Sequence, residues 1–364
     1  MKAGIVGLPN VGKSTLFNCL SSAKAQSANF PFCTIEPNIG VVNVPDPRLN
    51  RLEELVNPQK VIPATVEIVD IAGLVKGASK GEGLGNQFLA NIRETDAILH
   101  VLRCFDNDNI VHVDNSIDPL RDKETIDIEL QLKDLEAVEK RLEKVKRAAR
   151  TGNKEAQKEL AVLEVLHNGL EAANSVRAIE ISDDDRAAFV SPLQLITDKP
   201  VLYVCNVDES AAATGNDYVT KVKNAVAAEN AEVLVLAVAT EADINELETY
   251  EERQLFLEDL GLEEPGAAKL IRAAYNLLNL ETYFTAGEKE VRAWTIPAGA
   301  SAPQAAGVIH TDFEKGFIRA EVISYADYDH FGSEQKAKEA GKAKVEGKEY
   351  TVKDGDVMHF RFNV

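Results

Sequence analysis

The sequence contains little cysteine and no long hydrophobic run. Its 364 residues include four cysteines, none of them in a Cys-x-x-Cys pair, which argues against a disulfide-stabilised secreted domain and against a zinc site. No apolar run approaches the ~20 residues that a membrane-spanning helix requires, and the apolar stretch at the amino terminus is too short for a signal peptide. We therefore expect a cytoplasmic protein that makes no contact with a membrane.

Positive charge is also scarce. The chain has 40 Lys and Arg residues against 59 Asp and Glu residues, which gives a net charge of −19 and excludes nucleic-acid binding over the whole surface. Residues 140–154 are the exception, and they favour either a solvated helical face or contact with a phosphate backbone such as RNA. The basic residues there are Lys140, Arg141, Lys144, Lys146, Arg147, Arg150 and Lys154, against the single acid Glu143.

Short apolar runs alternate with helical segments through the first 260 residues. Each run has four to six residues and is nearly all apolar, which is typical of strands buried on both faces of a parallel sheet. This alternation of strands and helices predicts an α/β fold class. The runs are Ala3–Val6, Thr65–Val69, Ala97–Leu102, Val201–Cys205 and Val233–Val238.

The alternation of apolar runs and helical segments is interrupted once, and a different pattern follows it in the last part of the chain. Between about residues 125 and 194 the apolar residues recur every three or four positions, and Thr151-Gly152-Asn153 supplies a turn, which predicts an inserted helical hairpin. The predicted apolar face of its first helix consists of Ile128, Leu132, Leu135, Val138, Leu142 and Val145. After residue 277, alternating patterns and frequent glycines predict a separate α+β module. The expected domains are a nucleotide-binding domain of residues 1–124 and 195–277, the hairpin of residues 125–194, and a C-terminal domain of residues 278–364.

A glycine-rich motif follows the first apolar run. Gly7–Ser14 matches the Gly-x4-Gly-Lys-Ser/Thr pattern between a strand and a helix. The glycines allow backbone N–H groups to surround phosphate oxygens at the helix amino terminus. In this pattern Lys13 contacts the β- and γ-phosphates and contributes to catalysis, and the Ser14 hydroxyl is a ligand of Mg²⁺. The predicted nucleotide-binding residues of this segment are Asn10, Val11, Gly12, Lys13, Ser14 and Thr15.

Two further segments complete a predicted Mg²⁺ site. Asp70 ends the run Thr65–Val69, where its carboxylate is placed to reach Mg²⁺ through water, and Gly73 is placed to offer its N–H to the γ-phosphate. Thr34, between the P-loop and Asp70, is placed to offer a second hydroxyl to Mg²⁺. Residues 77–85 contain four glycines, which predicts a segment that orders around the γ-phosphate.

The residues after Val201–Cys205 occupy the position that reads the base. Guanine-specific proteins of this class have Asn-Lys-x-Asp there, but this chain has Val207 in place of the lysine and Glu209 in place of the aspartate. Since the longer Glu209 side chain is expected to miss the guanine edge, we expect ATP to bind more tightly than GTP by a modest margin. Asn206, through its amide, and Val207, through its apolar surface, are the predicted base contacts.

Taken together, these segments resemble the YchF branch of the Obg-like ATPase family, within the translation-factor class of P-loop GTPases. The resemblance covers essentially the whole chain and rests on residues 29–38 and 70–85, the departure at residues 206–209, the inserted hairpin and the tail Gly355–Asn363. It implies a P-loop sheet of the G-domain type and a C-terminal TGS-like β-grasp domain.

The same resemblance carries expectations about activity and partners. It implies a preference for ATP over GTP, slow hydrolysis, and association with the ribosome at its large subunit, as a nucleotide-dependent switch in translation or stress regulation. The basic hairpin and the C-terminal domain are then the candidate contacts with RNA.

The residue that usually orients the attacking water is missing. Leu74 follows Asp-x-x-Gly where many GTPases have glutamine, and its side chain forms no hydrogen bond. Asn10 is a candidate ligand of K⁺, which would supply positive charge as an arginine finger does. His112 is a candidate catalytic residue because the loop after Ala97–Leu102 leaves the ligand-binding end of the sheet.

Two other functions are compatible with the same motif. One is a metabolic phosphotransferase that uses the P-loop, although no second substrate pocket is evident in the sequence. The other is a non-hydrolysing scaffold that binds the ribosome or RNA, for which Leu74 is the best support.

Overall fold

The computed structural model describes residues 1–22, 39–71, 84–114, 116–229 and 231–363. Its strands are β1 (Lys2–Val6), β2 (Ile39–Asn43), β3 (Val61–Ile62), β4 (Thr65–Asp70), β5 (Ala97–Arg103), β6 (Val201–Asn206), β7 (Glu232–Leu236), β8 (Leu280–Ala286), β9 (Val291–Pro297), β10 (Phe317–Ser324), β11 (Lys344–Glu346) and β12 (Asp356–Phe362). Its helices are α1 (Lys13–Ser22), α2 (Pro47–Val56), α3 (Leu84–Arg93), α4 (Pro119–Arg150), α5 (Lys154–Glu171), α6 (Asp183–Asp185), α7 (Asp217–Val226), α8 (Val238–Glu246), α9 (Tyr250–Asp259), α10 (Gly266–Leu277), α11 (Ala302–Ile309), α12 (Thr311–Lys315), α13 (Tyr325–Phe331) and α14 (Glu334–Glu339).

The first sheet has the strand order β2-β4-β1-β5-β6-β7. β1 pairs in parallel with β4 and β5, and β6 pairs in parallel with β5 and β7. Every residue of β5 and β6 is buried, as expected for central strands covered on both faces. The predicted parallel α/β sheet is confirmed. The last predicted run ends early, because β7 stops at Leu236 and Val238 begins α8.

The carboxyl ends of these strands carry the residues that the motifs single out. β1 leads into the P-loop, β4 ends at Asp70, and β6 ends at Asn206. Because parallel strands end at the same edge of a sheet, these residues converge on one crevice, which is where open α/β sheets bind their ligands.

The inserted hairpin consists of α4 and α5, joined at residues 151–153. Its core contains Val138 and Leu142 of α4 and Leu163 and Leu166 of α5. None of the described helices, including the 32-residue α4, combines the length and the apolarity that a membrane span needs.

The base of the hairpin differs from the predicted helical pattern. Ile128 and Leu132, at the start of the predicted apolar face, are 48% and 39% exposed. A different face of α4 is buried there, and it includes Asp134, whose carboxylate accepts hydrogen bonds from the backbone N–H groups of Ile196 and Thr197 at 2.8 and 2.7 Å. Polar contacts with a neighbouring segment, rather than apolar periodicity, therefore set the orientation of this part of α4.

The chain divides into two compact units. The first comprises Met1–Gly40 and Glu67–Leu270, and the second comprises Val41–Val66 and Ile271–Val364. Residues 41–66, which the sequence places in the nucleotide-binding domain, therefore lie in the second unit. There β3 pairs with β9, and Arg48 of α2 forms an ion pair with Asp354 at 2.6 Å. Contacts between residues about 300 positions apart in sequence leave no periodic signal in the chain.

The second unit is built on a mixed sheet with the order β11-β10-β12-β8-β9-β3. β8 and β12 are parallel neighbours, whereas β8–β9 and β10–β12 are antiparallel pairs. The core between the sheet and α11 contains Tyr283, Ala305, Phe317 and Phe360. First and last long strands lying side by side, with one helix packed across the sheet, are the arrangement expected of a β-grasp fold.

His100 is a buried polar residue at the centre of β5. Its side chain is almost fully covered, and within the described parts of the chain no hydrogen-bond partner reaches its Nε2 atom. Burial, with a smaller contribution from the cations of Lys123 and Arg177, lowers the pKa of His100 from 6.5 to about 3. The folded protein therefore holds this imidazole in its neutral form.

We expect His100→Leu to reduce the sensitivity of the fold to acid. As pH falls below about 6.5, the unfolded chain protonates this histidine while the folded chain does not, so the free energy of unfolding falls by up to about 1.4 kcal/mol per pH unit. The variant lacks this contribution and should lose about 2 kcal/mol less than wild type between pH 7 and pH 5. Urea unfolding at the two pH values measures both losses. Equal losses in the two proteins would contradict the assignment.

Candidate nucleotide-binding site

The P-loop connects β1 to α1 and requires glycine at two positions. A Cβ atom on Gly7 would lie 2.6 Å from the carbonyl oxygen of Val101. Gly12 has a φ of +100°, and a Cβ atom there would lie 2.5 Å from Nδ2 of Asn206. Left-handed backbone and close packing both exclude larger residues. The loop leads into the first turn of α1, where the backbone N–H groups have no acceptor within the helix and can bind an anion.

The Lys13 ammonium lies over the P-loop. Its Nζ atom donates a hydrogen bond to the carbonyl oxygen of Leu8 at 2.6 Å, and its side chain is buried. Burial lowers the pKa of Lys13 from 10.5 to about 8, and Asp70 opposes this change. Binding an anionic phosphate would stabilise the charged form of this buried ammonium. The next two residues, Ser14 and Thr15, are exposed at the start of α1.

Ser14 and Asp70 form a hydrogen-bonded pair beside the P-loop. The Ser14 hydroxyl donates to Oδ2 of Asp70 at 3.1 Å. The other oxygen, Oδ1, is buried, and no donor in the described residues reaches it. Burial raises the pKa of the Asp70 carboxyl, and the Ser14 hydroxyl and the Lys13 ammonium oppose that rise. A hydroxyl beside a carboxylate with an unpartnered oxygen is the set of hard oxygen donors that Mg²⁺ prefers, so these residues fit that ion.

Asn206 binds the P-loop itself. Its Nδ2 atom donates to the carbonyl oxygen of Val11 at 2.9 Å, and its Oδ1 atom accepts from the backbone N–H of Val238 at 3.0 Å. Val207 is 2% exposed, and its N–H donates to the carbonyl oxygen of Leu236. In this structure the Asn206 carboxamide is therefore engaged by the protein and the Val207 side chain is covered, and their contact with the base remains a prediction from the sequence.

The P-loop also contacts the loop that follows β5. Asn10 has a φ of 62°, and its Nδ2 atom donates to the carbonyl oxygen of Val111 at 3.1 Å. This bond fixes the orientation of the Asn10 carboxamide and leaves its Oδ1 atom as the oxygen that a cation can bind.

His112 lies one residue further along that loop, in a buried position. Its Nε2 atom is 2.7 Å from Oδ2 of Asp122, and its Nδ1 atom accepts a hydrogen bond from the backbone N–H of Asp114 at 3.1 Å. Both ring nitrogens are thus engaged by the protein. The preceding residue, Val111, contacts Asn10 of the P-loop, but in this arrangement the His112 ring has no nitrogen available to a water molecule.

Three of the predicted positions lie outside the described residues. They are Thr34, the second candidate Mg²⁺ ligand; Gly73, the candidate γ-phosphate contact; and Leu74, which stands where many GTPases have glutamine. Their roles remain predictions from the sequence.

Two residues of this region were not predicted. Asp122, the partner of His112, carried no signal because helix periodicity describes apolar faces and not a single buried carboxylate. Arg103 is 1% exposed, and its guanidinium donates to the carbonyl oxygens of Phe105, Asn107 and Ile110 at 3.2, 3.0 and 2.9 Å. The available sequence signal for Arg103 was its position as a charged residue at the end of a mostly apolar strand.

A parallel sheet with a Gly-x4-Gly-Lys-Ser loop at its edge, and with a Ser–Asp pair beside that loop, defines a P-loop nucleoside triphosphatase. Comparison with known families agrees, since residues 2–140 match the model described as 50S ribosome-binding GTPase and residues 280–363 match YchF-GTPase_C, described as a protein of unknown function. The chain belongs to the YchF family.

The relatives match along the whole chain. A protein of Escherichia coli O157:H7 named ribosome-binding ATPase YchF is 59% identical over 363 residues, which cover 100% of this chain and 99% of the relative. The protein of the same name from Bacillus subtilis (strain 168) is 55% identical over 366 residues, with full coverage of both. The solved structure of the Schizosaccharomyces pombe YchF GTPase superposes with a TM-score of 0.90 at 40% identity, over 99% of this chain and 97% of that one. The chain is accordingly a nucleoside-triphosphate hydrolase of this family.

Proposed function

We propose that this protein binds ATP in preference to GTP, hydrolyses it slowly with Mg²⁺, and acts on the ribosome as a nucleotide-dependent switch in translation or stress regulation. The observation that carries the proposal is the Ser14–Asp70 hydrogen bond of 3.1 Å at the first turn of α1. It places the oxygen atoms that fit Mg²⁺ beside the helix amino terminus that can bind phosphate. Relatives named ribosome-binding ATPase, at 55 to 59% identity, support the ribosomal part.

The Mg²⁺ ion would be held by the Ser14 hydroxyl, by Asp70 through water and by the Thr34 hydroxyl, and when bound it supplies positive charge to the phosphates. Lys13 adds a second positive charge and, by binding a phosphate oxygen, exchanges its contact with the Leu8 carbonyl for a stronger charged one. Asn10 is the candidate K⁺ ligand, through the Oδ1 atom that its bond to Val111 leaves available.

The preference for ATP rests on residues 206–209. Since Asn206 supports the P-loop and Val207 is covered, the discrimination falls to Glu209, which is exposed where guanine-specific proteins place a shorter aspartate. Without a carboxylate held against the two guanine donors, GTP loses its specific contact. Because no group in the described residues is seen to reject guanine, the margin for ATP is expected to be modest.

Contact with the ribosome is proposed for the basic end of the hairpin, on the RNA of the large subunit, with the C-terminal domain as a second contact. All seven basic residues of this end are exposed. Lys140 and Arg141 form ion pairs with Glu136 and Glu159, whereas in the described part of the chain no carboxylate lies within ion-pair distance of Lys144, Lys146 or Arg147. Exposed cations without an acidic partner are available to bind phosphate.

We expect the double change Lys144→Glu and Arg147→Glu to weaken ribosome binding at least about tenfold, and to lower the slope of log K against log salt by roughly 0.7 to 0.9 for each phosphate that the variant no longer neutralises. Co-sedimentation with large subunits across a salt series measures both effects. The matched control is Lys221→Glu with Lys223→Glu, which reverses two exposed charges on α7. Equal binding by the two double variants would move the contact away from the hairpin.

A further inference from the structure

The segment of residues 104–114, here called the β5–α4 loop, is attached to its surroundings at three points. The buried Arg103 guanidinium binds three of the loop's carbonyl oxygens. The P-loop residue Asn10 binds the carbonyl oxygen of Val111, and Asp122 of α4 binds the ring of His112. The loop therefore connects the nucleotide site to the first helix of the hairpin.

The hydrogen bonds of His112 define its tautomer. Because Nδ1 accepts from the backbone N–H of Asp114, it carries no proton, and the ring proton on Nε2 is donated to Asp122. The side chains of His112 and Asp122 are 4% and 2% exposed. A ring in this position can neither accept a proton from water nor donate one to the nucleotide.

The surroundings of His112 leave room for another position. The neighbouring Val111 and Val113 are 70% and 50% exposed, so the loop turns its apolar residues outward and its imidazole inward. A cavity of about 390 Å³ borders both Val111 and His112. The backbone that carries His112 lies beside the P-loop, because the carbonyl oxygen of the preceding residue, Val111, accepts a hydrogen bond from Asn10.

We propose that Asp122 is a positioning residue that holds His112 in a resting position, and that His112 reaches the nucleotide only when this hydrogen bond opens. The inference rests on the proposed function, slow hydrolysis of ATP, and on the catalytic role that the sequence predicts for His112. Asp122 lies in the first turns of α4, where its second oxygen accepts from Arg121 at 3.1 Å. A displacement at the base of the hairpin therefore changes the geometry of the His112–Asp122 bond and regulates hydrolysis.

Steady-state ATP hydrolysis by four proteins tests this role: wild type, Asp122→Ala, His112→Ala and the double variant. We expect Asp122→Ala to raise kcat by about three- to tenfold, since loss of one buried hydrogen bond shifts the population of His112 by that order. KM for ATP should stay unchanged, because the further hydrogen-bond partners of His112 and Asp122 are Asp114 and Arg121 and not residues of the P-loop. In the double variant the gain should vanish, with kcat equal to that of His112→Ala.

Two further variants separate release of His112 from general loosening of the helix. Asp118→Ala removes the N-cap of α4, which accepts from the N–H groups of Leu120 and Arg121, and it should lower thermal stability while kcat stays within about twofold of wild type. Asp122→Leu has a similar size, accepts no hydrogen bond and serves if Asp122→Ala does not fold. In either Asp122 variant the ring-nitrogen NMR shifts of His112 should move from those of a fixed Nε2–H tautomer to those of an exchanging ring.

The outcomes are distinct. If His112→Ala hydrolyses ATP at the wild-type rate, the catalytic role that the sequence predicts for His112 fails, and the role of Asp122 fails with it, whereas the proposed ATP hydrolysis itself stands. If His112→Ala is slow and Asp122→Ala is no faster than wild type, only the role of Asp122 is overturned. A gain in Asp122→Ala that persists without His112 also overturns it, because the gain then comes from another group.

Discussion

Lys13→Ala should lower ATP hydrolysis by about 10²- to 10³-fold, as expected when one preorganised positive group is removed from a phosphate site. The fold should persist. Burial lowers the pKa of Lys13 to about 8, which means that the charged ammonium is less favourable in the folded protein than in the unfolded chain. Below that pH the buried charge reduces the free energy of unfolding, and Lys13→Ala removes this destabilisation. The opposing loss is one hydrogen bond to the Leu8 carbonyl, about 1 kcal/mol.

Phosphate release and urea unfolding of the same preparations measure the two parts of this prediction. Lys2→Ala is the matched control, since Lys2 is a partly exposed lysine of β1 whose ion pair with Glu67 is 3.6 Å long, a contact of little energetic value. A folded Lys13→Ala protein with wild-type turnover would remove Lys13 from the phosphate site.

Asn206→Ala should destabilise the fold by roughly 2 to 6 kcal/mol, and it should also weaken ATP binding. The change leaves the Val11 carbonyl and the Val238 N–H without their partner in a buried site, and each unsatisfied group costs about 1 to 3 kcal/mol. ATP affinity falls because the second half of the P-loop is no longer held in the conformation that binds phosphate.

Asn206→Asp serves as the informative comparison. It keeps an acceptor for the Val238 N–H but places a carboxylate oxygen against the Val11 carbonyl, so it should preserve the α8 contact and break the hydrogen bond to the P-loop. Urea unfolding and equilibrium ATP binding, measured on both variants, distinguish the contribution of the α8 contact from that of the hydrogen bond to the P-loop. If Asn206→Ala lost stability but bound ATP as tightly as wild type, the support of the P-loop by Asn206 would be disproved.

The sequence was sufficient for features that depend on local spacing. The P-loop, the strand that ends at Asp70 and the hairpin turn at residues 151–153 each occupy one short stretch, and the structure has them where the motifs predict. Ser14 and Asp70 were predicted to lie together although 56 positions separate them, because parallel strands place their carboxyl ends at one edge, and the two side chains are hydrogen-bonded. Their binding of Mg²⁺ remains a proposal.

Features that depend on long-range side-chain contacts could not be predicted in this way. The hydrogen bond from Asn206 to the P-loop was not predicted, because spacing alone does not show which group a carboxamide at the end of β6 contacts. Ile128 and Leu132 fit the helical repeat and are nevertheless exposed, since polar contacts at the base of α4 set its orientation. Residues 41–66 belong to the second unit, where β3 pairs with β9, and no local sequence pattern predicts this pairing.

Phosphate release from ATP and from GTP, each with Mg²⁺ and without any phosphate acceptor, tests the central claim most directly. The account predicts slow release from ATP, weaker release from GTP at subsaturating nucleotide, and none after chelation of Mg²⁺, because Ser14 and Asp70 would then lack the cation that their oxygens fit. Release that requires an added acceptor would identify a phosphotransferase, and binding of ATP without release would identify a scaffold. Either result, or a preference for GTP, would contradict the account.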